Sequence, residues 1–338
     1  MPTLSVEQLK AAIVQKLMTV DVPQEDARIV ANILSFAEER GVKTHGIMRL
    51  PHYIDRIQHG SIHAKPVIQT TALTDTVVKI DGDQALGHLV AYKASEQAIK
   101  LADKSGIGVA IVHNTTHSGA IGYYANELAE RGYISLIFTQ ADALVAPFGG
   151  RKAMLGANPI AYGIPTGLDY PIVLDMSTSA VSFGKVMLAR EADEKIPTTW
   201  GMNEAGESTN NPHDVVALHP MAEAKGYGLA ILVDVLAGVL AGVAFGQHIE
   251  PMYKDVTKPR NLGQLFIVMK PDVFIEAAHF TAQIQQMVQD LQQTPKAPGV
   301  DRIYVPGERS YEKAQQAAEQ GITISDELYA FLQEEASV

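Results

Sequence analysis

The sequence predicts an α+β fold, a β-sheet with helices packed against it. Short β-branched apolar runs bounded by turn formers, at 108–112, 133–139 and 172–176, read as buried strands. Segments with helical apolar spacing open and close the chain, so helices gather at both ends. No G-x-G-x-x-G follows a strand and no G-x-x-x-x-G-K-[ST] occurs. The ordinary dinucleotide fingerprint and the P-loop are therefore missing.

The elements follow in order. Ser5 and Gln8 form a capping box, and Leu9, Ile13 and Leu17 share one face. Pro23 opens a second helix that stops at Gly41, with Ile29, Ile33 and Phe36 on one side. Within 42–59, His45, Arg49 and Tyr53 are four apart, a polar stripe if helical, while Ile47, Leu50, Ile54 and Ile57 point elsewhere. Pro51 disfavours the α region at Leu50, which puts the helix start near Leu50 and His45 on the lead-in. Such a stripe suits a small anionic ligand, because Arg grips a carboxylate with two bonds. A solvated polar face is the plain alternative. Residues 76–82 alternate like a half-buried strand ending in an Asp-Gly turn, and a helix covers 90–105.

After the 108–112 strand, Thr116-His117-Ser118-Gly119 falls at a strand-to-helix junction, before a helix over 123–131. Backbone N–H groups are free at such a place and the helix dipole favours an anion. A histidine there can exchange a proton near neutral pH, or it can simply satisfy the loop. The 133–139 strand leads to Asp142 and a turn at 147–150. The 172–176 strand ends in Asp175, and acids at strand ends often meet ligands. Residues 191–214 are a long polar excursion. Segment 226–242 is apolar nearly all round, with Asp234 in its middle, and reads as a helix buried in a protein core rather than a bilayer span. A strand over 265–269, a long helix from Pro271 to about 293, the turn Pro306-Gly307-Glu308 and two short helices complete the chain.

Composition bounds the function. The 338 residues suffice for about two domains and a sizeable core. A net charge of −11 with no Lys/Arg block argues against nucleic-acid and anionic-membrane partners. The absence of cysteine excludes disulfides, thiol nucleophiles and Cys-ligated zinc. His113 and His117 are four apart but lack the adjacent Glu of a helical metal motif, so no metal is expected. No basic stretch precedes an apolar core at the start, so a cytoplasmic location is expected.

Physical reading alone stops at an αβ protein with a candidate base, an Arg-bearing stripe and several glycine turns. The ordered set of motifs goes further. Lys43-Thr44-His45-Gly46 with Arg49 and Tyr53 comes first, then Thr116 to Ile121 and Pro147-Phe148-Gly149-Gly150. Asn158-Pro159, Asp175-Met176-Ser177, Lys225-Gly226-Tyr227-Gly228 and Arg260-Asn261-Leu262-Gly263-Gln264 follow. Together they resemble the malate/L-lactate dehydrogenase family of the second, non-Rossmann type, over nearly the whole chain. Segments 225–246, 252–271 and 297–307 resemble the ureidoglycolate-oxidising branch more than the malate or sulfolactate branches.

The resemblance implies a mixed β-sheet with packed helices forming a non-Rossmann NAD-binding domain over 73–269. It also implies a helical domain over 1–72, to which 270–338 returns. It implies oxidation of a small 2-hydroxy acid, (S)-ureidoglycolate in the branch named, by NAD in preference to NADP, in a homodimer and without a metal. By resemblance His117 accepts the hydroxyl proton, and Arg49 holds the carboxylate with His45, Tyr53, Ser118 and Arg260 beside it. Ala141, Asp175, Met176, Ser177, Lys225, Pro306, Gly307 and Glu308 match places that contact the dinucleotide. Asp175 and Glu308 are the two acids among them that could meet a ribose hydroxyl. Ala141 stands where a serine is expected, so only a backbone contact is left there. A binding protein that kept the fold and lost catalysis is the competing class, and the intact His45, Arg49 and His117 argue for the enzyme.

Overall fold

The computed structural model describes residues 1–334. Its centre is a seven-stranded mixed sheet. In spatial order the strands are Gln69–Ala72, Val77–Asp81, Ile107–Thr115, Leu262–Met269, Ile134–Thr139, Ile160–Ile164 and Ile172–Met176. Only Val77–Asp81 and Ile107–Thr115 run parallel, and every other neighbouring pair is antiparallel. The middle strand, Leu262–Met269, arrives late in the sequence and separates two strands that come much earlier. A doubly wound sheet has parallel neighbours on both sides of its switch point. This sheet has no such point, which is the structural counterpart of the missing glycine fingerprint.

Strand alternation builds two cores. Ala110, Val112, Ile137 and Phe266 face helices Gly87–Ser105 and Gly122–Glu130. Ile111, Phe138 and Leu265 face Val233, Ala237 and Ala241 on the other side. Gly108 lets the first helix lie close to the central strand, since a Cβ there would overlap the Ala98 carbonyl.

The chain ends meet. Helices α1 (Val6–Met18) and α2 (Gln24–Glu39) share a core with Ile322, Ile324 and Leu332, and Thr3–Leu4 pairs with Ile322–Thr323. Ser5 caps α1 with both bonds of the capping box. Helix α3 (Leu50–Gln58) follows two tight turns, Lys43–His45 and Ile47–Arg49, as the Pro51 argument requires. Helix Ala277–Gln293 takes a different place from the rest of the C-terminal region. Its Val288 packs on Ile172 and Val305 at the far edge of the sheet.

One expectation needs correction. The 226–242 segment is not buried on all sides. It forms a helix over Ala224–Val233 and a π-helical turn over Asp234–Val239. Its inner side covers the sheet, but Ile231, Leu232, Val235, Val239 and Leu240 are exposed. Among the described residues nothing lies over that outer face. Among the described residues no helix is long and apolar enough to cross a membrane.

Gly108→Ala is expected to overpack the central layer and cost about 1–3 kcal/mol. A lower urea midpoint at unchanged slope is the check.

Candidate active site

His117 occupies the loop between the Ile107–Thr115 strand and the Gly122–Glu130 helix. Three contacts fix that loop. Thr116 Oγ1 accepts from the Gly87 amide at 2.9 Å and donates to the Ala85 carbonyl at 3.0 Å. Gly87 must be glycine, because any Cβ would overlap the Thr116 carbonyl. Ser118 is buried below the loop, and its carbonyl accepts from the Tyr124 hydroxyl at 2.8 Å.

The tight turns before α3 bring the Arg-bearing stripe opposite. Glu38 of α2 accepts from the Ile47 amide at 2.9 Å and occupies the space a Cβ on Gly46 would need. Arg49 Nε donates to the Thr44 carbonyl at 2.6 Å, and Arg49 forms no ion pair among the described residues. Tyr53 is buried, and its hydroxyl lies 2.7 Å from His117 Nδ1. The Gly119 amide approaches the same nitrogen at 3.3 Å. His45 stacks on His117 with ring centroids 5.5 Å apart. His117 Nε2 has no hydrogen-bond partner among the described residues.

The electrostatics favour neutral imidazoles. His117, His45 and Arg49 keep part of their surface open while being ringed by protein, as residues on a cleft wall are. Burial, with His45 and Arg49 next in effect, pushes His117 well below the ordinary histidine range. Burial and then Arg49 push His45 down to about 4. Burial raises the Tyr53 hydroxyl above its ordinary range, so it stays protonated. In a chain of net charge −11, this cleft gathers Arg49, Arg56 and Arg260, a local field that attracts a small anion.

Arg260 is buried and faces a water-sized space shared with Tyr53, Thr116 and His117. Its Nε donates to the Glu250 carbonyl at 3.0 Å and its Nη2 forms an ion pair with Asp142. Burial and then Arg56 lower its proton affinity, and Tyr53 opposes them. Arg260 therefore touches the site while its charge is answered inside the protein.

Sequence reading passed over two residues here. Arg56 is buried and collects the carbonyls of Met252 at 2.7 Å, Lys258 at 2.9 Å and Asp255 at 3.3 Å. It thus ties the 251–258 segment, with Tyr253 over the Arg49 guanidinium, to α3. An Arg on the inner face of an amphipathic helix was the available signal. His88 is wholly buried, packs edge-on to Tyr53 at 5.1 Å, and has no hydrogen-bond partner at either ring nitrogen among the described residues. The sequence reading began that helix at 90, two residues too late to notice it.

The cofactor candidates divide by place. Asp175 keeps an open surface at the end of its strand while protein rings it, accepts from the Gly122 amide at 2.7 Å, and is pushed up to about 6 by the desolvation that this ring imposes. Met176 and Ser177 continue from it, and the Ser177 hydroxyl donates to the Ser179 carbonyl at 3.3 Å. Lys225 is exposed in the first turn of the Ala224–Val233 helix, and Gly226 packs against the Thr178 carbonyl. The Pro306 carbonyl accepts from Val173 at 3.1 Å, so Pro306 and Gly307 lie beside the Asp175 strand. Ala141 turns its amide to Asn158 at 3.1 Å. Glu308 is the exception. It is buried and takes the Val305 amide at 3.1 Å, Gln292 and Arg302. Among the described residues no metal-binding cluster of His, Cys, Asp or Glu occurs.

The malate/L-lactate dehydrogenase family model matches residues 4–333. The chain belongs to that family. It is 36% identical over 329 residues to the NAD(+) ureidoglycolate dehydrogenase of Escherichia coli, covering 97% of this chain and 94% of that protein. It is 37% identical over 328 residues to the malate dehydrogenase of Pyrococcus horikoshii, covering 94% and 90%. The solved sulfolactate dehydrogenase of Methanocaldococcus jannaschii superposes with a TM-score of 0.92 at 31% identity, over 98% of this chain and 96% of that one.

His88 makes a pH prediction. The unfolded chain binds its proton below about pH 6.5, whereas burial holds the folded residue down at about 3. Stability from this residue is therefore full above pH 6.5 and is lost as pH falls towards 3. Wild type should lose stability on acidification faster than His88→Asn, by up to about 1.4 kcal/mol per pH unit. Urea midpoints from pH 7 to pH 5 read the difference, and parallel curves would refute it.

Proposed function

We propose that the protein is an NAD-dependent dehydrogenase of a small 2-hydroxy acid, with (S)-ureidoglycolate as its substrate. The observation that carries this reading is the His117 imidazole. One nitrogen faces the Tyr53 hydroxyl at 2.7 Å and the other is unbonded, in a cleft shared with an unpaired Arg49. Arg49 would take the carboxylate through its terminal amines and orient the acid. His117 Nε2 would remove the hydroxyl proton while Tyr53 accepts from Nδ1–H, so negative charge does not build on oxygen. His45, stacked on His117, and buried Ser118 and Arg260 would shape the rest of the pocket.

The residues around Asp175 suit a dinucleotide. An exposed carboxylate fits ribose hydroxyls, while the Lys225 ammonium and the Ser177 hydroxyl fit phosphate oxygens. Met176, Pro306, Gly307 and the Ala141 backbone would complete the wall. When bound, NAD supplies the hydride acceptor. Of the two acids, Asp175 is the one with an open surface, and it would repel a 2′-phosphate. Glu308 would act indirectly by holding its turn. The ureidoglycolate assignment rests on the E. coli relative and on the three segments that resemble that branch.

The exposed apolar side of the 224–240 segment supports a homodimer, a second copy covering Val235, Val239 and Leu240.

The assay is nicotinamide absorbance with ureidoglycolate, malate, lactate and sulfolactate. His117→Ala should bind NAD normally and lose about 10²–10⁴-fold in kcat, and Arg49→Lys should lose kcat/KM despite keeping its charge. Wild-type kcat in the alanine variant, or malate preferred over ureidoglycolate, would remove the corresponding claim. Asp175→Ser should narrow the preference for NAD over NADP, and a wild-type preference for NADP refutes the cofactor assignment. Sedimentation equilibrium should show twice the monomer mass, and a monomer over a wide concentration range refutes the dimer.

A further inference from the structure

Two groups compete for His117 Nδ1. The Gly119 amide can only donate, so its approach at 3.3 Å favours a bare Nδ1 with the proton on Nε2. The Tyr53 hydroxyl at 2.7 Å can donate or accept, and where it accepts it holds Nδ1–H and leaves Nε2 with the lone pair a base needs. The Gly119 amide is thus compatible with one tautomer and the Tyr53 hydroxyl with both.

His88 touches both competitors. Its ring packs edge-on to Tyr53, with centroids 5.1 Å apart. Its Nε2 lies against Gly119, where a Cβ would come within 2.8 Å of it. It is wholly buried, and both ring nitrogens lack partners among the described residues. Natural folds satisfy nearly all buried polar groups, so an unpaired imidazole beside a working site calls for a reason. Backbone contacts keep it in place. His88 is the second residue of a helix whose first, Gly87, is pressed against the Thr116 and His117 carbonyls.

We propose that His88 is a positioning residue that sets the tautomer of His117 by packing against Tyr53 and Gly119 together. The proposal rests on the reading of His117 as the proton acceptor. A neutral ring is suited to the task, because a charge there would add to those of Arg49 and Arg260 facing His117. His45 is the remaining titratable neighbour, stacked on the other side. Burial holds both His45 and His88 in the uncharged form.

The test uses the full chain. Long-range proton–nitrogen NMR reads the His117 ring nitrogens, assigned by their loss in His117→Gln. Wild type should show Nδ1–H. His88→Ala should show mixed tautomers and a His117 titration moved up towards the ordinary value of about 6.5. Its kcat should fall between about tenfold and a hundredfold, as for a small misplacement at a reacting group. Its Kd for NAD should stay within about twofold. His88→Asn, smaller than His but still polar, stands in if the alanine variant fails to fold. A residue of purely structural worth would change the melting temperature and leave the tautomer and pH profile alone. A folded variant with the wild-type tautomer and titration overturns the proposal, as does an Nε2–H tautomer in wild type. If wild type oxidises no 2-hydroxy acid, or His117→Ala keeps its kcat, the reading of His117 fails, and the ring signals still judge His88.

Discussion

The hydrogen bond between the Tyr53 hydroxyl and His117 Nδ1 joins two parts of the chain that fold on different grounds. Tyr53 belongs to a helix held by the N-terminal core, and His117 to a loop at the end of the Ile107–Thr115 strand. Neither carries a functional geometry by itself. Glu38, Gly46 and Gly87 shape the turns on the two sides of that bond. A buried glutamate shapes one turn, and two glycines yield the space that a methyl group would fill. The cost falls on local flexibility and polar burial, and a shared cleft is what results.

The cleft is positive in an acidic protein, and the arrangement is selective about which cations are free. Arg56 is occupied by backbone carbonyls together with His52 and Ser61, and Arg260 is answered by Asp142. Arg49 alone has neither restraint on its terminal amines. An anion entering this cleft meets one available guanidinium rather than three, which gives it a single orientation. The same logic separates the two acids at the far end. Asp175 stands open at a strand end, while Glu308 is enclosed by its own turn.

Much of this was legible in the sequence. Strand periodicity, the Ser5 capping box, and Pro51 as a helix start all act through neighbouring residues, and the sequence displays them directly. The stripe of His45, Arg49 and Tyr53 was visible as spacing, although two tight turns rather than one continuous helix present it. What the sequence hid depends on distant partners. Arg56 looks like any charged helical residue until the 251–258 segment folds over it. His88 has no local pattern to mark it, because its neighbours come from two other elements. The apolar 226–242 segment could be read as apolar all round, but whether its outer side is covered is a matter of assembly, which intrachain periodicity does not encode.

Arg56 has one more consequence. It holds the roof of the cleft by main-chain oxygens, and no side chain of the 251–258 segment takes part in its grip. The height of that roof is therefore uncoupled from the identity of the residues that hang from it. Tyr253 is exposed and can be exchanged while the anchor stays put, whereas Met252 is packed into the N-terminal core. A scaffold built this way can try new substrates one ceiling tile at a time.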